Sequence, residues 1–262
     1  MNVFLWGILP YMMVVLLVGG LVWRYRYDQF GWTTRSSSLY ESRLLRWGSP
    51  IFHFGILVVV GGHVIGLVIP AAWTAAVGIT EDMYHVVALA LGTVAGVTTI
   101  AGIAILIYRR RTTGPVFMAT TKNDKSMYVV LALALVTGLA TTLIAVFNPS
   151  HESNYRETVA PWFRSLFVFQ PNIEAMANAP LEFHIHTLMG MALFILWPFT
   201  RLIHAFTAPI HYLFRPYIVY RSRSGRPTAT GSGPRGWEPV GTRDRTSGRQ
   251  LERPKTRREA RR

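Results

Sequence analysis

The 262-residue chain is 50% apolar and only 15% charged, yet it carries a net charge of +14; ordinary soluble proteins have about 25% charged residues. It contains no cysteine, which excludes disulfides, thiolate zinc sites, cysteine-held iron–sulfur clusters and covalent haem attachment. The basic excess does not point to nucleic acid, because residues 221–262 hold 13 basic against 4 acidic residues, a net +9 of the total.

A bilayer core about 30 Å thick takes roughly 20 apolar residues in helix. Five stretches meet or nearly meet that length: Val3–Trp23, Pro50–Pro70, Tyr84–Tyr108, Met127–Phe147 and Phe183–Phe206. Backbone polar groups in lipid are satisfied within the segment, so all five are predicted as helices. The first has no basic run before it and is too long for a signal peptide, which makes it a retained span. The expected fold is an all-α membrane protein, five transmembrane helices in an antiparallel bundle.

Lysine and arginine orient it. The connectors from Arg24 to Arg46 and from Arg109 to Lys125 hold five basic residues each, whereas Ala71–Met83 holds none and 148–182 only Arg156 and Arg164. Arg215 and the basic tail follow the fifth span. The positive-inside rule then places the N-terminus outside and the C-terminus in the cytoplasm. Residues 1–220 form the membrane domain. Residues 221–262, rich in Gly, Pro, Ser, Thr and charge, read as a disordered cytoplasmic tail attracted to anionic lipid.

Five of the eight histidines fall in the second and fifth apolar spans, where ionisable groups are expensive and mark function. The second span reads HFGILVVVGGH, with His53 near its cytoplasmic end and His63 ten residues on, about 15 Å deeper. The fifth reads HIHTLMGMALFILWPFTRLIH, with His184 and His186 near its outer end and His204 near its inner end. Because the two spans run in opposite directions, His63 meets the His184/His186 level and His53 meets His204. Facing helices with two imidazoles at each of two depths suit two bis-imidazole haems, of non-covalent b type for want of cysteine. Interhelical hydrogen bonding is the plainer role for such histidines, and zinc or copper is a third, though each pair lacks further ligands.

Eighteen residues at about 100° each make whole turns, so His186 shares a face with His204 while His184 lies about 160° away; His186 is therefore the expected ligand. The lengths fit imperfectly, since 18 residues rise about 27 Å against about 15 Å for the other pair. A kink at Pro198 is one remedy. Gly55, Gly61, Gly62 and Gly66 allow a porphyrin or a neighbouring helix close to the second span.

At RYRYDQFGWTTRSSSLYESRLLRWGSPIFHFGIL, VGGHVIGLVIP and LEFHIHTLMGMALFILWPFTRLIHAFTAPIHYLFRPY the sequence resembles the gamma subunit of membrane-bound respiratory nitrate reductase, over about residues 4–220. The resemblance implies a dihaem cytochrome b of the cell membrane, with His53 and His204 on the cytoplasm-proximal haem b and His63 and His186 on the distal haem b. It further implies that a quinol (menaquinol or ubiquinol) from the membrane pool is oxidised near the outer face. Electrons then pass inward to a beta subunit carrying iron–sulfur clusters and an alpha subunit carrying molybdenum, where nitrate becomes nitrite.

Family members place a basic residue at the outer start of the third span; here the segment reads TEDMYHVVAL. His85 is the expected acceptor of the quinol proton, or simply an interfacial residue, with Gly62 and His63 lining the pocket. Glu81 and Asp82 are either a proton relay or the acidic start of a helix. Arg201, three residues before His204, is expected to hold a haem propionate or to snorkel. Arg109, Arg110 and Arg111 read as a topology signal, and His151 and His211 as ordinary loop residues. Trp162, Phe163, Phe167 and Phe169 suggest an interfacial segment or a lid over the quinol pocket. Two other functions fit the same residues: a dihaem module serving a different cytoplasmic oxidoreductase, and a transporter using histidine as polar glue, although no span has the breaks of a transport site.

Overall fold

The computed structural model describes residues 1–28, 37, 40–148 and 154–206, all within one compact unit, Met1–Pro209. His151, His211, Arg215, the 220/221 boundary and the tail lie outside the described residues. Among the described residues there is no strand.

Nine α-helices are described. α1 (Leu9–Tyr27) continues a π-helical stretch, Val3–Ile8. α2 (Arg43–His63) runs on through a second one, Val64–Val68. α3 (Ala71–Ala76), α4 (Glu81–Thr112), α5 (Gly114–Met118) and α6 (Lys122–Phe147) follow. α7 (Val159–Leu166), α8 (Ile173–Ala177) and α9 (Leu181–Leu196) complete the set. Five segments are long and apolar enough to cross a membrane: Val3–Tyr27, Arg43–Val68, Glu81–Thr112, Lys122–Phe147 and Leu181–Phe199.

The helix ends follow local chemistry. Thr80 caps α4 by accepting from the Met83 N–H, with Glu81 and Asp82 in the first turn and three arginines in the last, both favourable to the helix dipole. With 32 residues, α4 is about 48 Å long and outreaches the apolar core of a bilayer. α6 opens on a capping box between Thr121 and Asp124, a T-x-x-D pattern before an apolar run. α2 begins seven residues before Pro50, which the helix accommodates in its interior.

α2 packs on α4, α4 on α6, α6 on α9 and α9 on α1. Small residues set the first contact: a Cβ on Gly55 would stand 2.5 Å from Thr99 Oγ1, and one on Gly102 2.4 Å from the Phe52 amide nitrogen. In membrane helices such residues let backbones approach where no hydrophobic drive exists. Between α1 and α9, Trp6 meets His184 and Gly20 meets Pro198, so these two helices run parallel. Gly48 against Ile105 with Gly55 against Thr99 makes α2–α4 antiparallel, and Gly92 against Thr142 with Gly96 against Leu139 does the same for α4–α6.

The fifth span departs from expectation. It is not a continuous helix to Phe206: α9 ends at Leu196, a 3₁₀ turn covers Trp197–Phe199, Thr200 is extended (φ −127°, ψ −177°), and a second 3₁₀ segment covers Arg201–Phe206. Pro198 has no N–H for an α-helical bond, and its carbonyl accepts from Arg24 Nη1 at 2.9 Å. The shared helical face inferred for His186 and His204 therefore does not exist. His204 nonetheless meets His53 past the break, with ring centroids 5.9 Å apart.

Candidate functional site

Two pairs of imidazoles bridge α2 and the fifth span. His63 and His186 lie with ring centroids 5.8 Å apart, and His53 and His204 at 5.9 Å. The higher number on α2 meets the lower number on the fifth span, as antiparallel segments require.

Each ring has a defined Nδ1 partner. His53 Nδ1 is 2.7 Å from the Ser49 carbonyl oxygen and His63 Nδ1 is 2.8 Å from that of Val59, one helical turn back. His204 Nδ1 faces the Arg201 carbonyl oxygen. A carbonyl only accepts, so in the neutral ring Nδ1 carries the proton and Nε2 the lone pair. That is the arrangement by which outer partners orient metal-ligating histidines. His186 Nδ1 is 3.3 Å from Thr137 Oγ1; that hydroxyl donates to the Leu133 carbonyl at 2.8 Å and so can accept from the ring. Gly138 lies against the same imidazole, and a Cβ there would stand 2.8 Å from His186 Cε1.

His184 is used differently. Its Nε2 bonds the Met176 carbonyl at 2.6 Å and its ring lies against Trp6 at 4.9 Å, tilted by 32°. The nitrogen a metal would need is taken.

The residues fit an iron porphyrin. An iron held by two imidazole nitrogens at roughly 2 Å each sets the ring centroids about 6 Å apart, close to both observed separations. His53 and His63 are exposed. Of the four glycines expected to open the second span, Gly55 and Gly66 are filled by α4 and by Tyr155, whereas a Cβ on Gly61 or Gly62 would meet nothing within 4 Å. Among the described residues no three His, Cys, Asp or Glu side chains gather as a metal-ion cage; each level offers two imidazoles, the number a bis-ligated haem takes.

Other expected residues have further partners. Arg201, expected to hold a propionate or to snorkel, pairs with buried Asp124 (Nε to Oδ1 2.8 Å) and donates to the Ala119 carbonyl. Arg109 is not merely a topology signal: it is fully buried, bonding Glu41 Oε2 at 2.6 Å, the Ser37 hydroxyl and the carbonyls of Ser37 and Glu41. Arg110 bonds Tyr128 and Thr120. Burial opposes ionisation of the Glu41 carboxyl, but the Leu44 N–H and the Arg109 guanidinium outweigh it and hold the pKa below its ordinary value. Trp162 sits in a buried cluster with Trp6, Met176 and Met191, so α7 is part of the packed bundle. Only its tail, Phe167–Phe169, is well exposed.

Sequence reasoning missed a polar cluster one turn beyond His63. A Cβ on Gly66 would stand 2.6 Å from the Tyr155 hydroxyl, and that hydroxyl shares a 2.7 Å hydrogen bond with Tyr84. Arg156 lies over the Tyr84 ring at 3.9 Å and bonds Glu81 at 3.0 Å and Thr74 at 3.1 Å. Burial, then the bond to Tyr84, pushes the Tyr155 phenol up, so it stays protonated at neutral pH. Glu81 is thus both a helix-start residue and an ion-pair partner. His85 follows on the exposed face of α4.

Residues 2–223 match the family model for the nitrate reductase gamma subunit. The nitrate reductase-like protein NarX of Mycobacterium tuberculosis H37Rv is 63% identical over 218 residues, 83% of this chain and 33% of that protein. The nitrate reductase gamma chain of Bacillus subtilis is 44% identical over 84% of this chain and 98% of its own length. The respiratory nitrate reductase 2 gamma chain of Escherichia coli is 32% identical over 85% and 98%. The chain spans about a third of the mycobacterial relative's length.

Proposed function

The chain belongs to the nitrate reductase gamma subunit family, and from that membership we propose that it is the quinol-oxidising, electron-transferring membrane subunit of a nitrate reductase. The observation that carries this reading is the two imidazole pairs spanning α2 and the fifth span with centroids near 6 Å. His53 and His204 would hold the haem b nearer the cytoplasm, and His63 and His186 the haem b nearer the outer face. When bound, each haem supplies a one-electron carrier.

The protein's own groups do the rest. Main-chain carbonyls of Ser49, Val59 and Arg201 keep Nδ1 protonated and leave Nε2 to ligate. A menaquinol or ubiquinol from the membrane pool enters beside Gly62 and His63, and His85 at the outer start of α4 accepts a hydroxyl proton, which leaves on the outer side. Electrons go inward to beta (iron–sulfur) and alpha (molybdenum) subunits on the cytoplasmic face. Drawing a charge inward against 100 mV costs about 2.3 kcal/mol, which the gap between quinol and nitrate potentials supplies. His184, with Nε2 bonded to Met176, is outside this set.

The test is a reduced-minus-oxidised spectrum of the purified full chain with haem quantitation. Two low-spin b haems per chain are expected, and a colourless protein overturns the reading. In the assembled complex His85→Ala should slow quinol oxidation with both haems retained; unchanged turnover removes His85 from the site.

A further inference from the structure

His204 does not stand on a transmembrane helix. It lies in a six-residue 3₁₀ segment after an extended break at Thr200, so the hydrogen-bond ladder of α9 does not fix its position. Something else must, because its ring is held at the level of His53 on another helix.

The fixing point is an ion pair. Asp124, with its side chain only 5% exposed, accepts from Arg201 Nε at 2.8 Å through Oδ1 and from the Thr121 N–H at 3.0 Å through Oδ2. The carboxylate is thereby locked into the capping box of α6. Arg201 adds a bond to the Ala119 carbonyl, and its own main-chain carbonyl accepts the Nδ1 proton of His204. One residue thus joins the start of α6 to the imidazole. Neighbouring ties, Asn123 to the Phe199 carbonyl and Trp197 Nε1 to the Leu202 carbonyl, hold the flanks of the break and do not reach the ring.

We propose that Asp124, acting through Arg201, is a positioning residue for the cytoplasm-side imidazole pair, setting the orientation and basicity of His204. This rests on the assignment of His53 and His204 as haem ligands. The reasoning is that of outer partners to metal ligands generally: the group that accepts the second ring proton sets ring plane and electron donation. For His53 that group is its own helix; for His204 it is a carbonyl whose place depends on a remote carboxylate. A buried carboxylate also leaves little net charge near the site only while the arginine neutralises it.

The test uses Asp124→Asn in the full chain, assembled with its partners in membranes, read by redox titration and by the electron paramagnetic resonance of the two low-spin haems. The expected result is a displaced midpoint and a shifted or broadened signal at one haem only, the one that His204→Ala removes, with Asp124→Glu restoring part of it. If both haems are unchanged, or both change alike, the proposal is overturned. Should Asp124→Asn fail to accumulate, Arg201→Lys keeps the charge but replaces the planar guanidinium fork by a single point-like ammonium, and it must show the same one-sided displacement; an unaltered spectrum there overturns the idea. A wild-type protein without b haem would instead overturn the ligand assignment itself.

Discussion

The His63–His186 and His53–His204 pairs, proposed above to hold the outer and the cytoplasm-side haem, have nearly the same ring separation, 5.8 Å and 5.9 Å, but reach it by different means. His186 stands on the regular helix α9, pressed against Gly138 and bonded to Thr137 of α6; its position is a matter of helix packing. His204 stands past the end of that helix and is held by an ion pair and a carbonyl. A site built on packing is disturbed by a change in volume, whereas a site built on polar ties is disturbed by a change in charge. The substitutions below separate the two.

The largest effect falls on the ligands. In the purified protein His186→Ala should remove the outer haem and quinol oxidation together while the other haem survives, and His204→Ala should remove only the cytoplasm-side one. His184→Ala should leave both, since that ring is committed to Met176 and Trp6. Haem content and optical spectra of the three variants decide it. Retention of both haems in His186→Ala would break the pairing.

Gly138→Ala comes next. The added methyl would stand 2.8 Å from His186 Cε1 and 3.3 Å from both ring nitrogens, so either the ring turns or α6 and α9 separate. Overpacking of this kind costs about 1–3 kcal/mol. The expected outcome is lowered occupancy of the outer haem and an intact cytoplasm-side haem, measured as haem per chain. Equal loss at both levels would mean that helix packing matters at both.

Why one site was more legible than the other follows from the same contrast. Periodicity and depth place His63 opposite His186 because both stand on helical backbone of regular rise. The same arithmetic gives His204 a helical face that it does not have; its match with His53 is made past the break at Trp197–Thr200. Pro198 marks where, but neither the extended Thr200 nor the clamp from Asp124 has a local pattern that announces a partner about eighty residues away. Likewise Arg109 reads as a flanking charge in sequence, since only the tertiary structure brings Glu41 and Ser37 onto it. Asp124 stands in a T-x-x-D pattern with Thr121, whose capping box the structure shows.

The smallest effect concerns that arginine. Arg109 closes the end of α4 onto the connector before α2 through Glu41, whose pKa is held below its ordinary 4.5 despite the opposing effect of burial. A carboxylate with a depressed folded-state pKa stabilises the fold above its unfolded pKa, and that contribution disappears as pH falls through the folded value. The clamp should therefore be complete at pH 7, begin to weaken near 4.5 and release below it. Thermal unfolding of the detergent-solubilised protein from pH 7 to pH 3.5 should show that acid-dependent loss, and Glu41→Gln should flatten it while lowering the pH 7 midpoint only modestly, because the Ser37 and Glu41 carbonyl bonds to Arg109 persist. Neither imidazole pair touches Glu41 in its described contacts, so the haem spectra of Glu41→Gln should match wild type at pH 7. A displaced cytoplasm-side haem in that variant would mean that the clamp on α4 and the clamp on His204 are one connected device, and the division between packing-built and charge-built levels would then have to be redrawn around the whole inner end of the bundle.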